Sequence, residues 1–325
     1  GVEAFADPAG DTDFVEVGFP LLEGRDLVVE VVLHVVQLTP ADDLPPTRLV
    51  QSIILHRDSP MVTIETKGEW SARRLMLKAE FDPAIEADAV VCDAPYGVAR
   101  RPLGVNDSLV LDSDSRAEDG TKRAAPEELD RPMQKWLDWS DGRRGIALLN
   151  DCLHGYDATW GRVRLSLLRA PLMRTHLDEI VGLGEVEMTY TILPHDGDWR
   201  EGEVPRHAYE LNHPALAWLP GSRQVPDGRI SCEPSSVMLT AIKRSEDGEA
   251  LVLRLYESAG VSTEATVELP RAVTSVVETD MLERPLGTVV GDAAAKPIGP
   301  GGDPALEGST IRLRLGPFQI RTVRV

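Results

Sequence analysis

Apolar residues recur along this chain with period two, and that rhythm confines most of it to β-strands. The run Leu27-Val28-Val29-Glu30-Val31-Val32-Leu33-His34-Val35-Val36 is β-branched and nearly continuous, as a strand buried on both faces would be. Near the end of the chain, Arg312, Arg314, Arg321 and Arg324 interleave with Ile311, Leu313, Leu315, Ile320, Val323 and Val325. That alternation predicts paired strands with one wet face. Leu251-Val252-Leu253-Arg254-Leu255-Tyr256 and Val62-Thr63-Ile64-Glu65-Thr66 follow the same logic, and turn signals such as Asp141-Gly142, Asp247-Gly248 and Pro226-Asp227-Gly228 stand between strands. Helical periodicity is scarce. Its best candidate runs from Glu127 to Leu137 and is interrupted by Pro132. The fold class these patterns imply is all-β.

A length of 325 residues supports one large domain or two, each with a sizeable core. A composition break falls at Pro220 to Gly228, followed by roughly 100 residues of strand-and-turn sequence, the size of a small β-sandwich. The expected division is therefore 1–222 and 223–325. Asp112 to Pro126 and Gly287 to Pro304 read as exposed loops. No internal repeat of solenoid or propeller length is present.

The formal charge of −19, from 53 acidic against 34 basic residues, repels phosphate backbones and anionic lipid. Nucleic acid and membrane are thus excluded as expected partners, while neutral ligands fit. No apolar run approaches the roughly 20 residues needed to cross a bilayer. The opening segment has neither the basic nor the apolar region of a signal peptide, and without an initiator Met it suits an excised fragment. Cys92, Cys152 and Cys232 are widely spaced and form no CxxC pair. They suggest reduced, buried thiols in a cytoplasmic protein, with one disulfide plus a free thiol in an exported protein as the alternative.

Standard catalytic signatures are missing: there is no HExxH, no phosphate-binding P-loop, no GxGxxG after a strand and no GxSxG. The seven histidines are scattered, so no metal site is expected within the chain. One segment is dense in polar groups. Leu148-Leu149-Asn150 leads into Asp151-Cys152-Leu153-His154-Gly155-Tyr156-Asp157, followed by Trp160 and a second apolar strand from Arg162 to Pro171. A turn between two strands would project Asp151, His154, Tyr156 and Asp157 together. Carboxylates accept from sugar hydroxyls and aromatic rings cover the apolar C–H face, so the grouping suits a carbohydrate. The same residues also fit a plain hairpin, with Asp side chains capping the turn and Tyr156 packed on the sheet. A second cluster holds His195, Asp198 and Trp199, then His207, Glu210 and His213. Trp199 there reads either as a sugar platform or as a rim residue closing the sandwich.

These segments carry a resemblance. Asn150 to Asp157 (NDCLHGYD) followed by Arg164 to Pro171 (RLSLLRAP) resembles a stretch of glycoside hydrolase family 38, the α-mannosidases, especially its bacterial and cytosolic type. Glu187 to Trp199 (EMTYTILPHDGDW), Ala208 to Asn212 (AYELN), Ala94 to Val98 with Arg101-Pro102, Trp70 with Leu75, Leu77 and Lys78, and Gln134 to Trp136 are similar to further blocks in the same order. Val237 to Lys243, Leu253 to Glu257 and Gly316 to Thr322 are like the closing β-sandwich of that family. The resemblance implies a galactose-mutarotase-like supersandwich followed by a smaller β-sandwich, both non-catalytic. It implies that zinc and the nucleophile belong to a missing N-terminal catalytic domain, which would be this chain's partner, and that a glycan bearing α-mannose is the substrate. By position it nominates Asp151, His154, Tyr156 and Asp157 for the sugar cleft; Trp160 of the same segment is a further candidate, and His195, Asp198 and Trp199 of the second cluster are weaker ones. The family usually has an Arg-Gly pair just after the turn, where this chain has Thr159 and Trp160; Ser71-Ala72 replaces a usual His-Glu. Two other readings stay open. One is a stand-alone carbohydrate-binding module. The other is a mutarotase-like enzyme using His154, His195 and Glu210. A homo-oligomer is compatible with each.

Overall fold

Wherever apolar side chains alternate, the computed structural model of the chain places a strand. It describes the backbone of 17–18 and 26–35 and the residues 47–71, 76–103, 130–159, 161–170, 182–216, 228–286 and 304–325. The strands begin with β1 (Val17–Gly18), β2 (Asp26–Val35), β3 (Thr47–His56), β4 (Val62–Trp70), β5 (Met76–Phe81), β6 (Ala89–Ala94) and β7 (Gly97–Pro102). They continue with β8 (Arg131–Pro132), β9 (Trp136–Ser140), β10 (Arg144–Asn150), β11 (Gly155–Thr159), β12 (Arg162–Arg169) and β13 (Gly184–Asp196), then helix α1 (Val204–Asn212). The remaining strands are β14 (Ser231–Glu233), β15 (Val237–Arg244), β16 (Leu251–Glu257), β17 (Thr263–Glu268), β18 (Val277–Thr279), β19 (Ala305–Glu307), β20 (Thr310–Leu315) and β21 (Ile320–Arg324).

The described chain forms two compact units, Gly1–Asp93 with Ala99–Asn212, and Ala94–Val98 with His213–Val325. The composition break at Pro220 to Gly228 falls almost wholly outside the described residues, as do the loop Asp112 to Pro126 and most of Gly287 to Pro304.

In the first unit a nine-stranded sheet runs β1-β2-β3-β4-β13-β10-β9-β6-β7, and a four-stranded sheet runs β5-β12-β11-β8. Side chains from both meet in one core, including Leu49, Ile64, Trp70, Leu77, Ala79, Leu137, Trp139, Tyr156, Leu165 and Tyr190. Alternation decides which side chains enter it. On β12, Val163, Leu165 and Leu167 point inward while Arg162, Arg164 and Ser166 do not. Two polar core groups find partners: Gln51 Nε2 donates to Thr66 Oγ1 at 3.0 Å, and Trp139 Nε1 donates to the Ile85 carbonyl at 2.9 Å. Burial of the nearly continuous apolar run on β2 concerns side chains outside the described residues.

In the second unit two four-stranded sheets, β14-β17-β20-β19 and β15-β16-β21-β18, share a core of Leu253, Leu255, Ala265, Val267, Ile311, Leu313, Leu315 and Val323. The expected pairing of the last two strands is corrected here. β20 pairs with β17 and β19, while β21 pairs with β16 and β18, so they belong to different sheets. The reason is a turn at Gly316 to Gln319 that carries the chain across instead of back. There Gln319 N donates to the Gly316 carbonyl at 3.1 Å and Gly316 N to Gln319 Oε1 at 2.7 Å. Arg321, expected on a wet face, is 2% exposed. Its guanidinium grips both carboxylate oxygens of Glu278 and donates to the Arg314 carbonyl at 2.7 Å.

The helix expectation also moves. Glu127 to Leu129 lie outside the described residues, and Arg131–Pro132 and Trp136–Ser140 are strands. Four consecutive buried residues, Trp136 to Trp139, obscured the strand period. The helix forms instead at Val204–Asn212, where Val204 and Ala208, four apart, are the buried stripe.

Candidate functional site

β10 ends at Asn150, and this buried side chain builds the turn that follows. Its Oδ1 accepts from Leu153 N at 2.7 Å, its Nδ2 donates to the Gln134 carbonyl at 3.0 Å, and its own backbone N donates to the Lys135 carbonyl at 2.9 Å. The Asn150 carbonyl accepts from Asn212 Nδ2 at 2.9 Å, which ties the end of α1 to the start of the turn; the same Nδ2 donates to the Ala208 carbonyl at 2.8 Å. Leu153 drops into the core, while Asp151, Cys152 and His154 are exposed. Asp151 Oδ1 accepts from Thr189 N at 3.3 Å, and the His154 carbonyl accepts from Met133 N at 3.0 Å. Partial burial of its sulfur, then the hydrogen bond and charge of Asp151, push the Cys152 thiol up to about 12.

Tyr156 and Asp157 stand on opposite faces of β11, and neither is exposed. The Tyr156 ring lies in the core with its hydroxyl 3.6 Å from Cys92 Sγ, and burial raises its pKa. Asp157, 1% exposed, is clamped by Lys78 Nζ and by Arg164 Nε at 2.6 Å. Lys78 also reaches Asp130 Oδ1 at 2.6 Å, and Ser166 Oγ donates to the same oxygen at 3.0 Å. So the turn presents Asp151 and His154 outward, while Tyr156 and Asp157 anchor β11 behind them; neither aspartate caps the turn, since Asp151 accepts from Thr189 N and Asp157 pairs with Lys78 and Arg164. Trp160 lies outside the described residues.

The second cluster sits at the other end of β10. Gly145 pairs with His195 and Asn150 with Tyr190, so five residues, roughly 17 Å of strand, separate the clusters. His154 and His195 are therefore not brought together as a mutarotase pair would be, and Glu210 is paired with Arg206 at 3.1 Å. Asp198 organises a tight turn. Its backbone N donates to Glu201 Oε2 at 2.8 Å, its Oδ1 accepts from Arg200 N at 2.8 Å, and its Oδ2 binds Arg200 Nη1 at 2.7 Å. Trp199 is buried, stacked on Trp136 with ring centroids 5.4 Å apart, and the Arg200 guanidinium lies 4.1 Å from its ring centre. Trp199 is thus packed against Trp136 of β9 and is not an open platform.

His195 Nε2 lies 2.7 Å from Asp138 Oδ1, and Ser140 Oγ donates to Asp138 Oδ2 at 2.7 Å. A shallow depression of about 560 Å³ opens beside the ring, lined by Pro60, Pro194, His195, Glu201, Glu203 and His207 among others. Asp138, Lys78 and Arg164 were not nominated as site residues from the sequence, because a charged residue inside a strand reads as solvated until its cross-strand neighbour is known. Among the described residues, no group of three or more His, Cys, Asp or Glu side chains could hold a metal ion. All three cysteines are free; Cys92 is buried, Cys232 half-buried and Cys152 exposed, so the expectation of burial fails for Cys152. No helix among the described residues is long and apolar enough to cross a membrane.

An α-mannosidase from Enterococcus faecalis, solved as a crystal structure, superposes with a TM-score of 0.68 over 95% of this chain and 35% of that one, at 17% identity. That likeness defines the fold as the one found in part of a glycoside hydrolase. In sequence, residues 23–176 match the model of the glycosyl hydrolases family 38 C-terminal domain, and residues 236–323 match that of the family 38 C-terminal β sandwich domain. The chain belongs to glycoside hydrolase family 38 and carries its C-terminal domains. Human "Alpha-mannosidase 2C1" is 30% identical over 85% of this chain and 24% of its own length. "Alpha-mannosidase G" of Dictyostelium discoideum is 30% identical over 72% of this chain and 20% of its own length. The chain spans about a quarter of the length of the curated relatives it matches.

Proposed function

We propose that this chain is the non-catalytic C-terminal region of an α-mannosidase-like hydrolase, supporting the sugar cleft and the packing of a catalytic domain that hydrolyses α-mannosides. The observation that carries the reading is the match of two successive family 38 C-terminal domain models, one to each β unit. The strand-and-turn architecture gives a rigid mount: β10, hydrogen-bonded on both sides, holds the Asn150 turn at its end. Within that turn Asp151 and His154 are the groups free to meet a glycan hydroxyl, with Tyr156 and Asp157 fixing the hairpin behind them. Zinc, implied by the family, would be bound by residues of the catalytic domain and would grip vicinal sugar hydroxyls there. The partners on this reading are that domain and a glycan bearing α-mannose, and the compartment is the cytoplasm.

The test is hydrolysis of p-nitrophenyl-α-mannoside, with and without added zinc, by the 325-residue chain and by its full-length parent. The parent is expected to turn over and the isolated chain is not. In the parent, Asp151→Ala and His154→Ala should raise KM several-fold with kcat changed less. Turnover by the isolated chain, with or without zinc, would refute the reading.

A further inference from the structure

The side chain of His195 is 4% exposed and that of Asp138 is 0%, yet together they form an ion-pairing contact inside the first unit. Both ring nitrogens of His195 face oxygen acceptors. Nε2 lies 2.7 Å from Asp138 Oδ1, and Nδ1 lies 3.2 Å from the Asp196 carbonyl, which can only accept. Asp138 is already oriented by Ser140 at its other oxygen. Two acceptors on one imidazole demand two N–H groups, which only the imidazolium has. The ring is also wedged between two glycines: a Cβ on Gly145 would overlap its Cε1–Nε2 edge, and one on Gly202 would come within 2.5 Å of its Cγ. Gly145 belongs to β10, while Gly202 precedes α1, so the ring bridges the central sheet and the Asp196–Glu203 segment.

We propose that His195 is a proton-operated latch: its imidazolium fastens the segment from Asp196 through α1 onto β9 and β10, and loss of the proton releases that segment. Releasing one proton to solvent leaves one nitrogen a bare lone pair against an acceptor oxygen, so one of the two hydrogen bonds becomes a repulsion. The depression lined by His195 is the route to water. The groups facing the ring are known from each element around it. β9 supplies Asp138, the strand end and turn supply Asp196, Asp198, Glu201 and Glu203, α1 supplies His207, and β10 presents the uncharged Gly145. Acids outnumber bases, which favours the cation. Burial alone would lower the pKa of His195, but the hydrogen bond and charge of Asp138, then the Asp196 carbonyl and Asp198, hold it above the ordinary 6.5. The sign follows: the fastening is complete below about 6.5 and is lost as pH rises through the higher folded value. Release is transmitted further, because Asn212 at the end of α1 holds the Asn150 carbonyl at the start of the exposed turn. The latch stands on geometry within this unit and does not depend on the mannosidase reading.

The experiment uses the whole 325-residue chain with 15N-labelled imidazoles. His195 is expected to show two protonated nitrogens at about pH 6.5 and to titrate above it. Amide exchange of Gly202, Val204 and His207, corrected for intrinsic rates, should rise about tenfold through the same transition. Asp138→Asn should move the His195 midpoint below the wild-type one and loosen α1 already at about pH 6.5. Should that variant not fold, His195→Gln serves: without a titrating ring, exchange of α1 should no longer change with pH beyond the intrinsic rates. His207→Gln should leave the transition in place. A neutral His195 ring at about pH 6, or exchange of α1 that stays flat while His195 titrates, overturns the proposal.

Discussion

Glu257 offers the sharpest energetic test of how the second unit is built. It ends β16, its residue is 0% exposed, and its carboxylate faces backbone N–H groups instead of a cation. Oε1 accepts from Ala259 N at 2.8 Å, and Oε2 accepts from Gly260 N at 2.8 Å, Val261 N at 3.1 Å and Phe318 N at 3.0 Å. Three donors come from the loop after β16 and the fourth from the turn that carries the chain between sheets, so one carboxylate holds two crossovers. A hydrogen bond to a charged group contributes about 1.5–3 kcal/mol, and removing one partner strands the others. Desolvating the carboxylate offsets much of that sum. Glu257→Ala leaves four donors without an acceptor, and partial exposure of the loop lets water reach some of them. The expected loss is about 3–5 kcal/mol. Glu257→Gln keeps the shape, yet its amide can offer oxygen to only one of the two donor sets. With oxygen at the Oε2 position, its NH₂ meets Ala259 N–H head-on, for a loss of about 2–3 kcal/mol.

The assay must report the second unit by itself. Five of the six tryptophans belong to the first unit and Trp218 to the second, so tryptophan fluorescence does not separate the two units. Amide exchange of β16, β20 and β21 measures the opening energy of the sandwich directly. Both variants should lower protection there and leave the amide protection of β10 and β13 in the first unit within about 0.5 kcal/mol of wild type. A Gln variant as well protected as wild type would falsify the claim that the backbone donors need a carboxylate.

Two further outcomes follow from the first unit. Lys78→Met should lower its stability in urea by about 2–4 kcal/mol, because Asp157 stays buried with only Arg164 beside it; adding Asp157→Leu should recover part of the loss. Cys152, held near 12, should react with iodoacetamide far more slowly than glutathione does, and Asp151→Asn should lower the thiol pKa and speed alkylation measured by mass spectrometry.

Strand content was legible because period two survives wherever one face is buried and the other is wet, as on β12 and β20. It failed at Trp136 to Trp139, where both faces are covered and no alternation remains. Helix α1 was hidden for a related reason. Its buried stripe is only Val204 and Ala208, too little apolar periodicity to stand out among charged neighbours. Of the nominated site residues, the sequence put Asp151, His154, Tyr156 and Asp157 on one projecting turn, whereas Tyr156 and Asp157 belong to β11 and are buried. It could not say that Asp151 and His154 face outward while Tyr156 and Asp157 face partners, because a carboxylate looks the same in sequence whether solvated or clamped.

By itself, then, the sequence determined that this chain folds as antiparallel β units with a polar turn after Asn150, since side-chain alternation and turn chemistry are local properties. Its likeness to family 38 was also readable there, in blocks that keep their order. Only the tertiary structure decided that Arg321 is buried, that β20 and β21 part into opposing sheets, and that Asp138 meets His195 across 57 residues of chain. Those outcomes depend on which strand lies beside which, and cross-strand neighbours set burial, charge pairing and proton affinity.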